Sequence, residues 1–191
     1  ILASLARPSM GKVSVAGFEL PKEAAEVRQR LGVVSHQPLL YADLTGTENL
    51  LFYGKMYNLP NLDARIDEVL EIVGLTRRRD DLVRTYSRGM QQRLAIGRAT
   101  LHDPDVMLFD EPYTGLDQDA STMLDEVLHT VAARGRTVVM TSQDLARTEA
   151  LATRFDVLSR GVIAASATKT DFGSGNLLTF YKNVIAEGRA A

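Results

Sequence analysis

Val106-Met107-Leu108-Phe109-Asp110-Glu111-Pro112 is the stretch that decides the fold. An unbroken apolar run of this length reads as a strand inside a parallel sheet, where both faces are covered. It ends in two adjacent carboxylates, at the strand end where open α/β sheets bind their ligands. Asp110 is suited to organising Mg²⁺ through its water shell, and Glu111 to polarising a water for attack on a phosphate. Successive strand residues face opposite ways, so the two acids need not share one task. The same pattern also suits a plain loop boundary or helix cap.

Working outward, Arg136–Thr141 reads as a second buried strand. Between the two lies Gln118–Ala133, a helix with Met123, Leu124, Val127, Leu128 and Val131 on one face. Strand, helix, strand in that order predicts a parallel sheet of the α/β class. Upstream, Leu31–Ser35 is a brief strand and Lys12–Leu20 a short strand pair. Pro21 stands at the first position of a charged helix running to Arg30. Ile1–Ala6 reads as the end of a helix stopped by Pro8 and Gly11. Helices are predicted over Thr45–Tyr57, Asp63–Val73 and Arg88–Leu101, with Arg77–Asp81 a solvated charge run. Downstream come a short helix (Leu145–Ala152), strands over Phe155–Leu158 and Val162–Ala165 turning at Gly161, and a terminal helix over Asn176–Ala186.

Composition narrows the function. The 191 residues, 45% hydrophobic and 24% charged, suit one globular domain. A formal net charge of −2 argues against a bulk binder of nucleic acid or anionic membranes. The absence of cysteine excludes thiol catalysis, disulfides and cysteine zinc sites, and three histidines make a histidine cage improbable. No apolar stretch approaches the ~20 residues of a membrane span, so a role at a membrane needs another subunit. No secretory signal is read, which favours the cytoplasm.

Four further stretches carry chemistry. Ser87 stands at a helix N-cap with Gly89 close behind, and a serine hydroxyl, a glycine and free helix N–H groups make an anion site, or simply a cap. Ser35-His36-Gln37-Pro38 ends a strand, and the Gln37 amide has both a donor and an acceptor for a metal-bound water or a phosphate. Thr114-Gly115-Leu116-Asp117 is a turn directly after the acids. Met140-Thr141-Ser142-Gln143-Asp144 ends the next strand.

Taken in order, these stretches resemble the nucleotide-binding domain of ATP-binding cassette (ABC) transporters, over essentially the whole chain. Ser87-Arg88-Gly89-Met90-Gln91 resembles the family's signature motif, with Arg88 and Met90 where Gly and Gln are common. Val106–Glu111 is similar to its Walker B strand and Leu116-Asp117 to its D-loop. The resemblance implies an α/β P-loop NTPase fold, with a mostly parallel sheet core and a helical subdomain. It places one cassette over residues 1–191, the helical subdomain over about 39–103, and the Walker B, D-loop and switch core over about 104–165. It implies ATP and Mg²⁺ as cofactors, and a second, identical cassette paired head to tail. It also implies a transmembrane permease subunit, a place on the cytoplasmic face of the membrane, and no nucleic-acid partner. In that scheme Glu111 is the general base, Asp110 organises Mg²⁺ and Gln37 senses metal and γ-phosphate. Gln143 stands at the switch position and Asp117 links the two sites. Ser87, Arg88, Gly89, Met90 and Gln91 face the nucleotide held by the other copy.

The sequence departs from the family pattern in three places. No G-x-x-x-x-G-K-[ST] loop occurs, which predicts that a P-loop segment precedes Ile1 in the complete protein and that this truncated chain alone binds ATP poorly. Gln143 replaces the family's switch histidine and cannot carry an imidazolium charge, which bears on hydrolysis rate. His36 is read as a polar loop residue. The wording of Tyr86–Ile96 and Glu111–Asp117 is similar to bacterial haem-exporter ATP-binding subunits of cytochrome c maturation, which implies haem export. The alternatives are an exporter of drugs, antibiotics or lipids, and a non-hydrolysing fragment or degenerate cassette. Ribosome- or DNA-acting members of the family are disfavoured by the charge and the lack of a basic insert.

Overall fold

The computed structural model describes residues 1–172 and 176–190, the last four by backbone alone. They fall into two units, Ile1–Thr141 and Ser142–Ala191. In the first, a hairpin (β1, Val13–Val15; β2, Phe18–Leu20) leads into α1 (Ala24–Gln29) and β3 (Leu31–Val34). Helices α2 (Gly46–Met56), α3 (Leu62–Ile72) and α4 (Arg88–Thr100) follow, then β4 (Val106–Asp110), α5 (Gln118–Ala133) and β5 (Thr137–Thr141). The second unit holds α6 (Leu145–Leu151), the hairpin β6 (Arg154–Ser159) and β7 (Val162–Thr168), and α7 (Leu177–Ala190).

Strands β3, β4 and β5 form a parallel sheet with β4 in the middle. Val34 pairs with Phe109 on one side of β4, and Asp110 with Thr141 on the other. Met107 and Phe109 are fully buried on one face. Val106 and Leu108, on the other face, pack against the core of the hairpin, α1 and Leu31. The fold class is therefore α/β, as the sequence predicts. β5 is not the buried strand expected of Arg136–Thr141. It takes the sheet edge among the described residues, and Val139 is 44% exposed.

Helix α4 presses closely on the sheet. A Cβ on Gly32 would lie 2.3 Å from Met107 Sδ and 2.4 Å from the Ala99 carbonyl oxygen, so only glycine fits there. Arg98, 8% exposed, donates from Nη2 to the Val33 carbonyl at 2.7 Å and lies over the Tyr53 ring. Burial lowers its pKa. The last turn of α4 is thereby fixed to the same sheet that carries the acids. Helices α2, α3 and α4 bury Leu50, Ile66, Val69, Leu70 and Leu94 in a core of their own. Thr45 and Glu48 close a reciprocal cap at the start of α2, at 3.1 and 2.8 Å. The Thr45 N–H holds the Glu48 carboxyl below its ordinary pKa.

Two local expectations fail. Residues 1–11 form turns and bends rather than a helix end. Ile1, Leu2 and Leu5 are 53%, 45% and 84% exposed, so the apolar residues of this stretch are largely unburied and give a short helix little support. Pro21 lies before α1 rather than in it, and Glu23 takes the N-cap. In the second unit, Phe155, Phe172 and Phe180 stack in series between the hairpin and α7, with centroids 5.1 and 5.4 Å apart.

His102, just after α4, stacks flat on Tyr57 with centroids 3.9 Å apart and an interplanar angle of 4°. Neither ring nitrogen has a hydrogen-bond partner among the described residues. Burial pushes its pKa from 6.5 down to about 4. Between those values the unfolded chain binds a proton there and the folded chain does not, so stability present above pH 6.5 is lost as pH falls toward 4. The slope this contributes is at most about 1.4 kcal/mol per pH unit. Urea unfolding at pH 7 and pH 5 is expected to show a larger loss in the wild type than in His102→Phe, which keeps the ring on Tyr57. Equal losses would contradict it.

Candidate functional site

The carboxyl end of β4 is organised by its neighbour β5. Register sets Asp110 opposite Thr141. The Thr141 hydroxyl donates to Asp110 Oδ1 at 2.7 Å. The Glu111 N–H donates to the Thr141 carbonyl at 3.2 Å and to Thr141 Oγ1 at 3.0 Å. Glu111 holds φ at +46°, in the left-handed region that costs a non-glycine residue roughly 1–2 kcal/mol. Strain of this kind collects where a side chain must be aimed. Next in the chain, Thr114 donates from Oγ1 to Glu111 Oε2 at 3.3 Å.

The start of α4 meets the turn that follows the acids. Ser87 caps α4, accepting from the Met90 N–H at 3.2 Å. Asp117 caps α5, its Oδ1 accepting from Ala120 N–H at 2.8 Å, while Oδ2 lies 3.6 Å from where a Gly89 Cβ would stand. The Arg88 guanidinium reaches Gly115 in the same way, at 3.8 Å. Gln92 Nε2 donates to the Pro112 carbonyl at 3.4 Å. Signature-like and acidic stretches, over a dozen residues apart in sequence, are thus joined within one subunit.

Between them lies a cavity of about 410 Å³. Ser35, His36 and Pro38 line it from the loop after β3, Arg88, Gln91 and Gln92 from α4, and Asp110, Glu111 and Thr114–Leu116 from the acidic turn. Cationic and carboxylate side chains thus share one solvent-open space, an arrangement suited to an anionic ligand that brings a cation with it. Among the described residues no group of three or more His, Cys, Asp or Glu is placed to hold a metal unaided. Two carboxylates suit Mg²⁺ instead, since Mg²⁺ keeps waters and takes phosphate oxygens from its ligand.

Not every residue singled out in the sequence reaches this cavity. Asp110, Glu111, Arg88 and Gln91 line it. Gln37 does not, although its neighbours do; it is exposed, and its carbonyl accepts from Ser35 Oγ at 2.8 Å. The Met90 side chain packs against the helical core. Ser87, Gly89 and Asp117 act at the junction as caps and close neighbours rather than as cavity lining. Gln143 belongs to the second unit, next to the Asp144 cap of α6. The sequence reading places Thr141 and His36 in chemistry-bearing stretches but gives neither a role beside the acids, because the one depends on register and the other meets the acids only through the fold.

A family profile described as ABC transporter matches residues 1–114. The chain belongs to the ABC transporter family. Among curated relatives it is 38% identical to the linearmycin resistance ATP-binding protein LnrL of Bacillus subtilis, over 91% of this chain and 57% of that protein. It is 37% identical to the Nod factor export ATP-binding protein I of Burkholderia orbicola, over 84% of this chain and 54% of that protein. The chain therefore spans a little over half the length of these curated relatives. A solved ATP-binding subunit of an ABC transporter superposes with a TM-score of 0.89 at 26% identity, covering 96% of this chain and 80% of that one. The fold is that of an ABC ATPase cassette.

The cap at the junction also contributes to the stability of the fold. Asp117→Ala is expected to lower the unfolding free energy by about 1 kcal/mol, and Asp117→Asn, which still accepts from Ala120 N–H, by only a few tenths. Urea titration of both variants checks this, and equal losses would count against the capping role.

Proposed function

We propose that the complete protein is the ATP-hydrolysing subunit of a small-molecule exporter. The observation that carries this is the acid pair at the end of β4, set by Thr141 and lining an open cavity. In this reading Glu111 accepts a proton from the water that attacks the γ-phosphate, and Asp110 holds Mg²⁺ in part through water. Bound Mg²⁺ supplies charge neutralisation of the phosphates. Gln37 responds to nucleotide from the loop after β3, and Gln143 hydrogen-bonds at the switch position without adding charge. Two cassettes pair head to tail, so that Ser87, Arg88, Gly89, Met90 and Gln91 of one complete the site of the other, with Asp117 between the two sites. Orientation of fixed dipoles and charges is the main source of catalysis in such a site.

A membrane permease is the proposed partner, at the cytoplasmic face. No helix among the described residues is long and apolar enough to cross a membrane. Beside the Gln37 loop, Leu39, Tyr41, Phe52 and Met56 are 46%, 47%, 39% and 65% exposed, with Tyr41 edge-on to Phe52 at 4.9 Å. An apolar patch of that kind fits a docking role. The proposed cargo is an antibiotic- or lipid-like molecule. The names of LnrL and the Nod factor exporter favour it over the haem export implied by the wording around Tyr86–Ile96, because neither name refers to haem.

The test uses the full-length protein with its permease. Glu111→Gln is expected to lower ATP turnover at least ~100-fold, retain nucleotide binding and accumulate an ATP-bound dimer by light scattering. Unchanged turnover would remove Glu111 from the chemistry. A wild type that binds ATP but does not turn it over would indicate a degenerate cassette instead.

A further inference from the structure

We infer that Thr141 is a positioning residue for both acids, an assignment that rests on the proposed roles of Asp110 and Glu111. Its hydroxyl has one proton and two lone pairs. The proton goes to Asp110 Oδ1 at 2.7 Å, and a lone pair receives the Glu111 N–H at 3.0 Å. Asp110 Oδ2 takes no hydrogen bond or ion pair from a described residue, so one carboxylate oxygen is fixed and the other is left for an external cation.

Support of the backbone alone does not explain the hydroxyl. The Glu111 N–H already has an acceptor in the Thr141 carbonyl at 3.2 Å. Parallel register would provide that contact for any residue at 141. What the hydroxyl adds is the bond to Asp110, which selects one rotation of the carboxylate. Both groups are exposed, so the bond contributes little to global stability. A donor behind a metal-ligating carboxylate, in contrast, typically changes metal affinity by about 10–100-fold. Thr141 also accepts from Glu111 in its left-handed conformation, so one side chain registers both acids against β5.

The experiment compares Thr141→Val, Thr141→Ala and Thr141→Ser in the full-length protein, with Mn²⁺ and ATP as the probes. Mn²⁺ affinity of the ATP-loaded protein, read by electron paramagnetic resonance, is expected to fall about 10–100-fold in the Val and Ala variants and to stay within about threefold in Ser. Urea midpoints of the three without metal are expected to lie close to wild type, which separates orientation from stability. Wild-type Mn²⁺ affinity in either the Val or the Ala variant would overturn the inference, as would a loss in Ser equal to that in Val. Turnover of Glu111→Gln keeps the two levels apart. If it abolishes hydrolysis while Thr141→Val binds Mn²⁺ normally, only the inference fails. If it leaves hydrolysis intact, the site reading fails and takes the inference with it.

Discussion

The candidate site depends on the parallel pairing of β4 with β5. That register brings a threonine opposite an aspartate at the last position of both strands. A slip of one residue would reverse the faces of β4, exposing Met107 and Phe109 and turning Asp110 away from Thr141. Burial of those two large side chains therefore protects the register, and the register protects the acid pair. Apolar packing along the strand becomes side-chain geometry at its tip.

A second constraint brings in the other half of the site. Gly32 lets α4 approach the sheet closely, and Arg98 ties α4 to the β3 carbonyl at Val33. These contacts fix the last turn of α4 to the sheet, and at its first turns Gly89 lies close to Asp117 and Gln92 donates to the Pro112 carbonyl. The helical core of α2, α3 and α4 has its own burial and its own caps. It can act as a stiff body that carries the signature-like stretch, while the acids belong to the sheet.

Much of this was legible in the sequence because it is local. The apolar run ending in Asp110 and Glu111 and Ser87 ahead of α4 are patterns of neighbouring residues, and the structure has both. What was not legible depends on distant partners. Ile1–Ala6 reads as a helix end, yet its apolar side chains are largely exposed and it forms turns and bends. Val138 and Val139 read as a buried strand, yet β5 lies at the sheet edge. Thr141 is an ordinary strand residue until register sets it against Asp110. His36 and Arg88 share a cavity although the chain separates them by the whole of α2 and α3.

In the proposed function the tip of β4 holds a metal–nucleotide complex. Amide NMR of the full-length protein with Mn²⁺ and ATP tests it most directly, because paramagnetic broadening falls steeply with distance. The strongest broadening is expected at Asp110, Glu111 and Thr141, with weaker effects at Asp103 and Asp105 near the opposite end of β4. Strongest broadening at Asp103 and Asp105, with the Asp110 and Glu111 amides unaffected, would contradict it.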